Sequence, residues 1–204
     1  TVFIFTSLYL VPLANFTSLM FLAPIIVTAL SMPLLGERVG PHRWAAVLVG
    51  FIGALIIARP DFSVFQPAAI VPLVTATLLA LYYISTRWIS RVDDAMTTLV
   101  YTPLVGAGLF SLAVPFVWVT PDLDGWLLMA AIGILGLGAH FALIKAFEAA
   151  PAATVTPFNY LGLVWAIVLG FTVFSHLPDG WTLLGAAIIV AGGLYIFHRE
   201  QRHG

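Results

Sequence analysis

The sequence has no cysteine, which excludes disulfides, thiolate metal sites and thiol catalysis and leaves the redox compartment unmarked. Charge is also scarce. Eight Lys and Arg stand against nine Asp and Glu, a net charge of −1, and charged residues make up only 8% of 204 positions. A soluble domain carries about 25% charged residues. So few charges cannot cover a water-soluble fold of this size, and the balance offers no basic field to hold nucleic acid. Enzyme signatures are missing too: there is no HExxH, P-loop or GxSxG, and no His/Asp/Glu cluster at ligand spacing. The reading is therefore not an enzyme, with no catalytic residue, no metal and no cofactor.

What is present is apolar. Hydrophobic types make up 61% of the chain and mean hydropathy is +1.07, so the natural solvent for its surface is a lipid bilayer. The chain opens on Thr1 inside an apolar run to Val11, with no basic residue or small-residue cleavage site ahead of it. That run is read as the tail of a helix whose start is missing, not as a signal peptide, and the chain as a fragment. A spanning helix needs about 20 mostly apolar residues. Seven candidates follow the stub: Leu13–Leu35, His42–Ala58, Pro67–Trp88, Met96–Val119, Trp126–Phe147, Thr154–Phe174 and Trp181–Phe197. Short polar or Pro/Gly turns separate them, and none is long enough to link domains. A membrane barrel would alternate polar and apolar residues, and these runs do not.

The basic residues test the count. Arg38, Arg43, Arg87, Arg91, Lys145, Arg199 and Arg202 all fall on one side if the seven helices are real. Only Arg59 falls on the other, with Asp61, Asp122, Asp124 and Asp179. The positive-inside rule then places the C-terminus in the cytoplasm.

A weak internal repeat appears at an offset of 139 positions. Pro12 falls on Pro151, Ala14 on Ala153, Leu22 on Leu161, Leu30 on Leu169, Gly53 on Gly192 and Leu55 on Leu194. The turn near Glu37 falls on the one near His176. The copies lie five helices apart, so they enter the membrane in opposite directions. Inverted repeats of this kind recur in transporters, with the solute site near the midplane.

Two stretches resemble a known family. The first runs from Leu13-Ala14-Asn15 to Pro24, through Leu35-Gly36-Glu37-Arg38-Val39 and Gly50-Phe51-Ile52-Gly53, to Arg59-Pro60. The second holds Ala146-Phe147-Glu148-Ala149-Ala150-Pro151-Ala152, Pro157-Phe158-Asn159-Tyr160, Pro178-Asp179-Gly180-Trp181 and Leu184-Gly185-Ala186-Ala187. Each resembles the end of an EamA-type repeat of the drug/metabolite transporter superfamily. The resemblance implies an all-α polytopic membrane bundle of two inverted five-helix repeats with both ends cytoplasmic, here lacking the first two helices and part of the third. Residues 1–60 would close the first repeat, 67–198 would form the second, and 199–204 a cytoplasmic tail. His176 stands where related sequences usually carry an acidic residue and reads as a loop substitution.

Polar residues within spans are the candidate site, because ionisable groups in lipid are expensive. His140 is the only ionisable residue well inside a predicted span, and could be a solute or proton contact or a histidine bonded to a neighbouring helix. Thr75, Tyr82 and Thr86 share one helix face and could line a cavity or bond back to the helix. Asn15 and Ser18 occupy a segment that is repeat-related to Thr156, Asn159 and Tyr160, which favours a shared lining role. Lys145 and Glu148 are a candidate gate or a local ion pair. Ala46, Gly50 and Ala54 read as a packing stripe, and Gly133, Gly136 and Gly138 as packing or bending positions. Trp118, Trp126 and Trp181 fit an interfacial belt, and Pro24, Pro103 and Pro115 could kink their helices.

The expected protein is an inner-membrane carrier moving a small metabolite or drug-like solute by alternating access. Its partners would be the bilayer and the solute, with no nucleic acid and a homodimer left open. The alternatives are a non-transporting membrane subunit or gene fragment, and a membrane-embedded lipid-modifying enzyme built around Arg87, Arg91, Asp93 and Asp94.

Overall fold

A computed structural model describes residues 2–60, 67–175 and 178–203. Among these the chain is helical and no strand occurs. Ten α-helices follow in order: α1 Val2–Leu10, α2 Leu13–Met20, α3 Ala23–Leu35, α4 Pro41–Ala58, α5 Ile70–Ile89, α6 Ala95–Val117, α7 Leu123–Ala149, α8 Ala152–Val155, α9 Leu161–Phe174 and α10 Gly180–His203. Six helical segments are long and apolar enough to cross a membrane: Leu13–Leu35, Pro41–Ala58, Pro67–Ile89, Ala95–Phe116, Leu123–Ala149 and Ala152–Val173. The seventh expected span lies on α10, whose apolar part is the shorter stretch Gly180–Tyr195. Asp61 and His176 lie outside the described residues.

The helix ends follow from local chemistry. Asp94 caps α6 by accepting from the Met96 N–H, and Asp122 caps α7 by accepting from the Gly125 N–H. Asp179 accepts from the Thr182 N–H at the start of α10. The loop acids thus satisfy amide groups that the first turn of a helix leaves without partners. Gly36 ends α3 with φ +66°, a left-handed turn that glycine adopts without penalty.

Two spans are broken. α2 stops at Met20 and α3 resumes at Ala23. The cause is Pro24, which has no N–H for the Met20 carbonyl and whose ring crowds it. In the later span, the four-residue α8 passes into a 3-10 segment, Thr156–Tyr160, which carries Pro157, before α9 begins at Leu161. Under the 139-residue offset the two interruptions overlap, at Phe21 in the first span and Tyr160 in the second.

The chain divides into two compact units, Thr1–Ile84 with Pro151–Gly204, and Ser85–Ala150. In the first, α4 and α10 pack closely in opposite directions. Gly53 meets Gly185, and Gly192 lies against Ala46 and Val49. A Cβ on Gly53 would come within 2.8 Å of Ile189 and 2.9 Å of the Gly185 carbonyl, so only glycine allows this approach. The expected stripe of Ala46, Gly50 and Ala54 is buried, with Gly50 lying under the Tyr160 ring. Val47, Ala54, Tyr160 and Ile189 form the core, flanked by Phe21, Ile25, Trp44 and Val164.

In the second unit α6 packs on α7 around Ala95, Leu99 and Ile144, with Phe141 alongside. Here Gly133, Gly136 and Gly138 differ from the expected packing role: an added Cβ would meet nothing within 4 Å at any of the three. The rest of α6 and α7 is largely exposed apolar surface, as lipid-facing helices require.

Candidate functional site

Two of the three polar residues expected along α5, Thr75 and Tyr82, line one pocket of the first unit. It is lined by Phe3, Ile4, Met20, Thr75, Leu78, Leu79 and Tyr82, with a volume of about 230 Å³. Thr75 is buried, donates to the Val71 carbonyl at 2.8 Å and lies 3.2 Å from the Ser7 hydroxyl. A threonine hydroxyl that satisfies its own helix still has lone pairs to offer a second donor. Tyr82 is half-buried, its ring 5.8 Å from that of Tyr83. Ser7 was not among the expected residues. Its place in an apolar stub hides it in the sequence, and only the proximity of α1 to α5 reveals it.

The paired polar segments of the broken spans lie in the same unit. Asn15 and Ser18 are buried on α2, and the Ser18 hydroxyl returns to the Ala14 carbonyl at 2.7 Å. Met20, at the end of the same short helix, reaches the pocket. Asn159 is exposed and within hydrogen-bonding range of the Tyr83 side chain. Tyr160 is fully buried in the core, and its hydroxyl donates to the Phe21 carbonyl at 2.9 Å. That carbonyl belongs to the break in the first span, where the helix ladder leaves acceptors over. The structure thus gives Ser18 and Tyr160 packing and hydrogen-bonding positions, and brings Thr75 and Tyr82 to a cavity.

His140 lies in the second unit, half-buried on α7. With Thr102, Pro103, Gly133, Gly136 and Leu137 it lines a second pocket of about 330 Å³. The glycines make the space: without side chains on that face, α7 leaves a recess opposite Pro103. Thr86, near the end of α5, is buried in this unit. Lys145 and Glu148 form an ion pair at 2.8 Å, and the Lys145 ammonium sits 5.8 Å from the centre of the Phe141 ring. Among the described residues no three His, Asp or Glu side chains gather as a metal site would require.

The join between α7 and α8 has a polar support that the sequence did not reveal. Pro151 has no N–H, so the Phe147 carbonyl four residues earlier loses its helical partner. The Arg87 guanidinium donates to that carbonyl, and Ser90 Oγ reaches it at 3.3 Å. A cation at a helix C-terminus also meets the negative end of the helix dipole. On the far side of Pro151, the Glu37 carboxylate accepts from the Ala152 N–H at 3.0 Å and the Ala153 N–H at 3.4 Å. An anion there meets the positive end of the following helix.

At the opposite end of α4, Arg59 makes two hydrogen bonds to the Asp179 carboxylate, at 2.6 and 2.7 Å. Both side chains are about half exposed. The Arg59 guanidinium, helped by the Thr182 amide, holds the Asp179 carboxyl well below the usual carboxylate range.

Comparison with known proteins agrees with this architecture. The profile of the EamA-like transporter family matches residues 1–59 and 66–197. A riboflavin transporter of Vibrio cholerae is 35% identical over 95% of this chain and 65% of its own length. An S-adenosylmethionine uptake transporter of Rickettsia bellii is 29% identical over 96% of this chain and 67% of its own length. A pseudopaline exporter of Pseudomonas aeruginosa is 30% identical over 88% of this chain and 64% of its own length. The chain thus spans slightly less than two thirds of the first of these relatives. A crystal structure of another protein shares the fold with a TM-score of 0.80 at 23% identity, covering 94% of this chain and 69% of that one.

Proposed function

The chain belongs to the EamA-like transporter family, and from that premise we propose that it is the greater part of a carrier for a small organic solute. It is a multi-pass membrane protein, and its relatives are transporters. The observation that carries the reading is the pair of broken spans, α2–α3 and α8–α9, interrupted at repeat-related positions. Broken helices expose backbone polar groups inside a membrane protein, and transporters place their solute sites at such breaks.

In this reading residues 1–60 and 67–198 are the two inverted repeats, and transport proceeds by their alternating exposure of a central site. The protein lies in the inner membrane with Arg199 and Arg202 on the cytoplasmic side, as the distribution of basic residues supports. The carrier makes and breaks no covalent bond in its solute. Thr75 and Tyr82 contact the solute, with Asn159 and Tyr83 beside them. The recess at His140 in the other unit is a separate candidate contact, and Lys145 with Glu148 is the candidate gate. Relatives named for riboflavin and S-adenosylmethionine support a solute with a flat nitrogen heterocycle and a polar chain. The Tyr82 ring is suited to stacking on such a heterocycle, and the Thr75 hydroxyl to its polar groups.

The test is uptake of riboflavin and S-adenosylmethionine into proteoliposomes by the protein extended to its full gene. Saturable uptake of either, lowered in Tyr82→Ala and Asn159→Ala proteins that still fold, is the expected result. Absence of flux with both, from a folded full-length protein, would remove this class of solute.

A further inference from the structure

Glu37 has no place in either pocket, yet it makes a specific tertiary contact across a separation of 115 residues. α8 begins after Pro151, which offers no side-chain cap of its own. The Ala152 and Ala153 amides are instead satisfied by a carboxylate from the turn that ends the other broken span. Gly36 sets that carboxylate in place. Its left-handed conformation folds the chain back, so that the Glu37 N–H closes on the Ser31 carbonyl at 3.2 Å and the residue is fixed to the end of α3. Beneath the contact the packing is built of small groups: Ser31, Ala152 and Ala153 are fully buried.

Two features distinguish this contact from an ordinary helix cap. Glu37 itself is only half-buried, so water can replace its partners when the bond breaks. The capped piece is four residues long, with Pro151 before it and the Pro157-bearing 3-10 segment after it, so it can pivot as a short rigid unit.

We propose that Glu37 is a latch between the two broken spans. In this conformation it holds the start of α8 against the end of α3 and closes the solute path at that membrane face. The carrier opens there by exchanging the two hydrogen bonds of these amides for bonds to water. The latch rests on the carrier reading, because it needs a path to close. Its recognition chemistry is a carboxylate on two backbone amides at a helix start, charge-assisted at both. A neutral amide of the same shape offers one weaker acceptor and should hold less well.

The experiment uses the full-length protein in proteoliposomes, with any cysteine outside these residues replaced and a single reporter, Val155→Cys. The rate at which a membrane-impermeant maleimide labels the reporter is measured with Glu37 intact, in Glu37→Gln and in Glu37→Asp. Loss of charge-assisted bonds is expected to raise labelling in Glu37→Gln by about tenfold. Glu37→Asp keeps the charge and should bring the rate back toward that of the parent. In a protein without the reporter, a Glu37→Cys, Ala152→Cys pair bridged by a short bis-thiosulfonate linker, which forms a disulfide at each end, should block flux, with reduction restoring it. Riboflavin flux is followed in parallel. Equal labelling in the parent and Glu37→Gln, or flux that continues through the bridged pair, overturns the latch while leaving the carrier reading intact. Raised labelling in Glu37→Gln without riboflavin flux in any protein keeps the latch and removes riboflavin as the solute.

Discussion

Tyr160 and Phe21 stand 139 positions apart and touch: the phenol of one donates to the backbone carbonyl of the other at 2.9 Å, with ring centres 5.8 Å apart. The offset is the one at which the two halves of the sequence align. Two repeat-related residues can meet only near the axis that relates their repeats, so this contact supports the inverted-repeat reading. It also explains the burial of Tyr160, whose hydroxyl satisfies a carbonyl freed by the break in the first span. Tyr160→Phe keeps the ring and removes that bond. The expected cost is about 0.6–1.5 kcal/mol, read from the unfolding midpoint in detergent.

The α4–α10 seam predicts a contrast between glycines. Gly53→Val places a side chain against Ile189 and the Gly185 carbonyl, and should destabilise the protein by about 1–3 kcal/mol. Gly133→Ala meets nothing within 4 Å and should leave the fold intact, with a gain of about 0.5–1 kcal/mol from helix propensity. Thermal melts of the two variants separate these effects. A Gly133→Ala protein that melts lower would contradict the open recess on α7.

Arg87 and Pro151 are coupled through the Phe147 carbonyl. Arg87→Gln should cost about 1.5–3 kcal/mol, because the Phe147 carbonyl loses its charged donor and keeps the longer bond from Ser90 Oγ. Pro151→Ala restores an N–H at the position the carbonyl needs. In that background Arg87→Gln should cost clearly less, and a double-mutant cycle measures the difference. Additive effects would mean that Arg87 serves some other group.

The Arg59–Asp179 pair gives a pH signature. The folded carboxyl titrates below its ordinary value of about 3.9. Its contribution is therefore complete above that value, and is lost as pH falls through the depressed folded one. The difference in melting temperature between the parent and Asp179→Asn should hold steady around neutrality and shrink below about pH 4. Both groups are half exposed, so added salt should shrink it as well.

For transport, Thr75→Val removes a pocket hydroxyl at nearly constant shape. Under the proposed carrier function, the expected effect is a rise in KM, for whichever of riboflavin and S-adenosylmethionine the protein takes up, of about fivefold to tenfold, the loss of one hydrogen bond, with folding retained. Unchanged kinetics would move the solute away from the α5 pocket and toward the recess at His140.

Much of this protein is legible in its sequence because lipid makes a simple demand. Every span must be long, apolar and internally hydrogen-bonded, so composition and run length alone identify a helical membrane bundle and place its turns near Arg38, Pro121 and Pro151. Pro24 already marks one span that breaks, since the missing N–H is a property of the residue, but α6 runs unbroken through Pro103 and Pro115, so proline alone does not decide a break. Tertiary structure decided which polar groups serve the fold and which face a cavity. Ser18, Thr75, Tyr82 and Tyr160 look alike as hydroxyls on apolar helices, but neighbouring helices leave Thr75 and Tyr82 beside a pocket, while Ser18 bonds its own helix and Tyr160 a distant carbonyl. The same holds for Glu37 and Arg87, which read as loop charges until the ends of α7 and α8 are placed beside them. A hydrogen bond between residues 60 or 115 positions apart has no periodicity in the sequence, and only packing brings its two ends together.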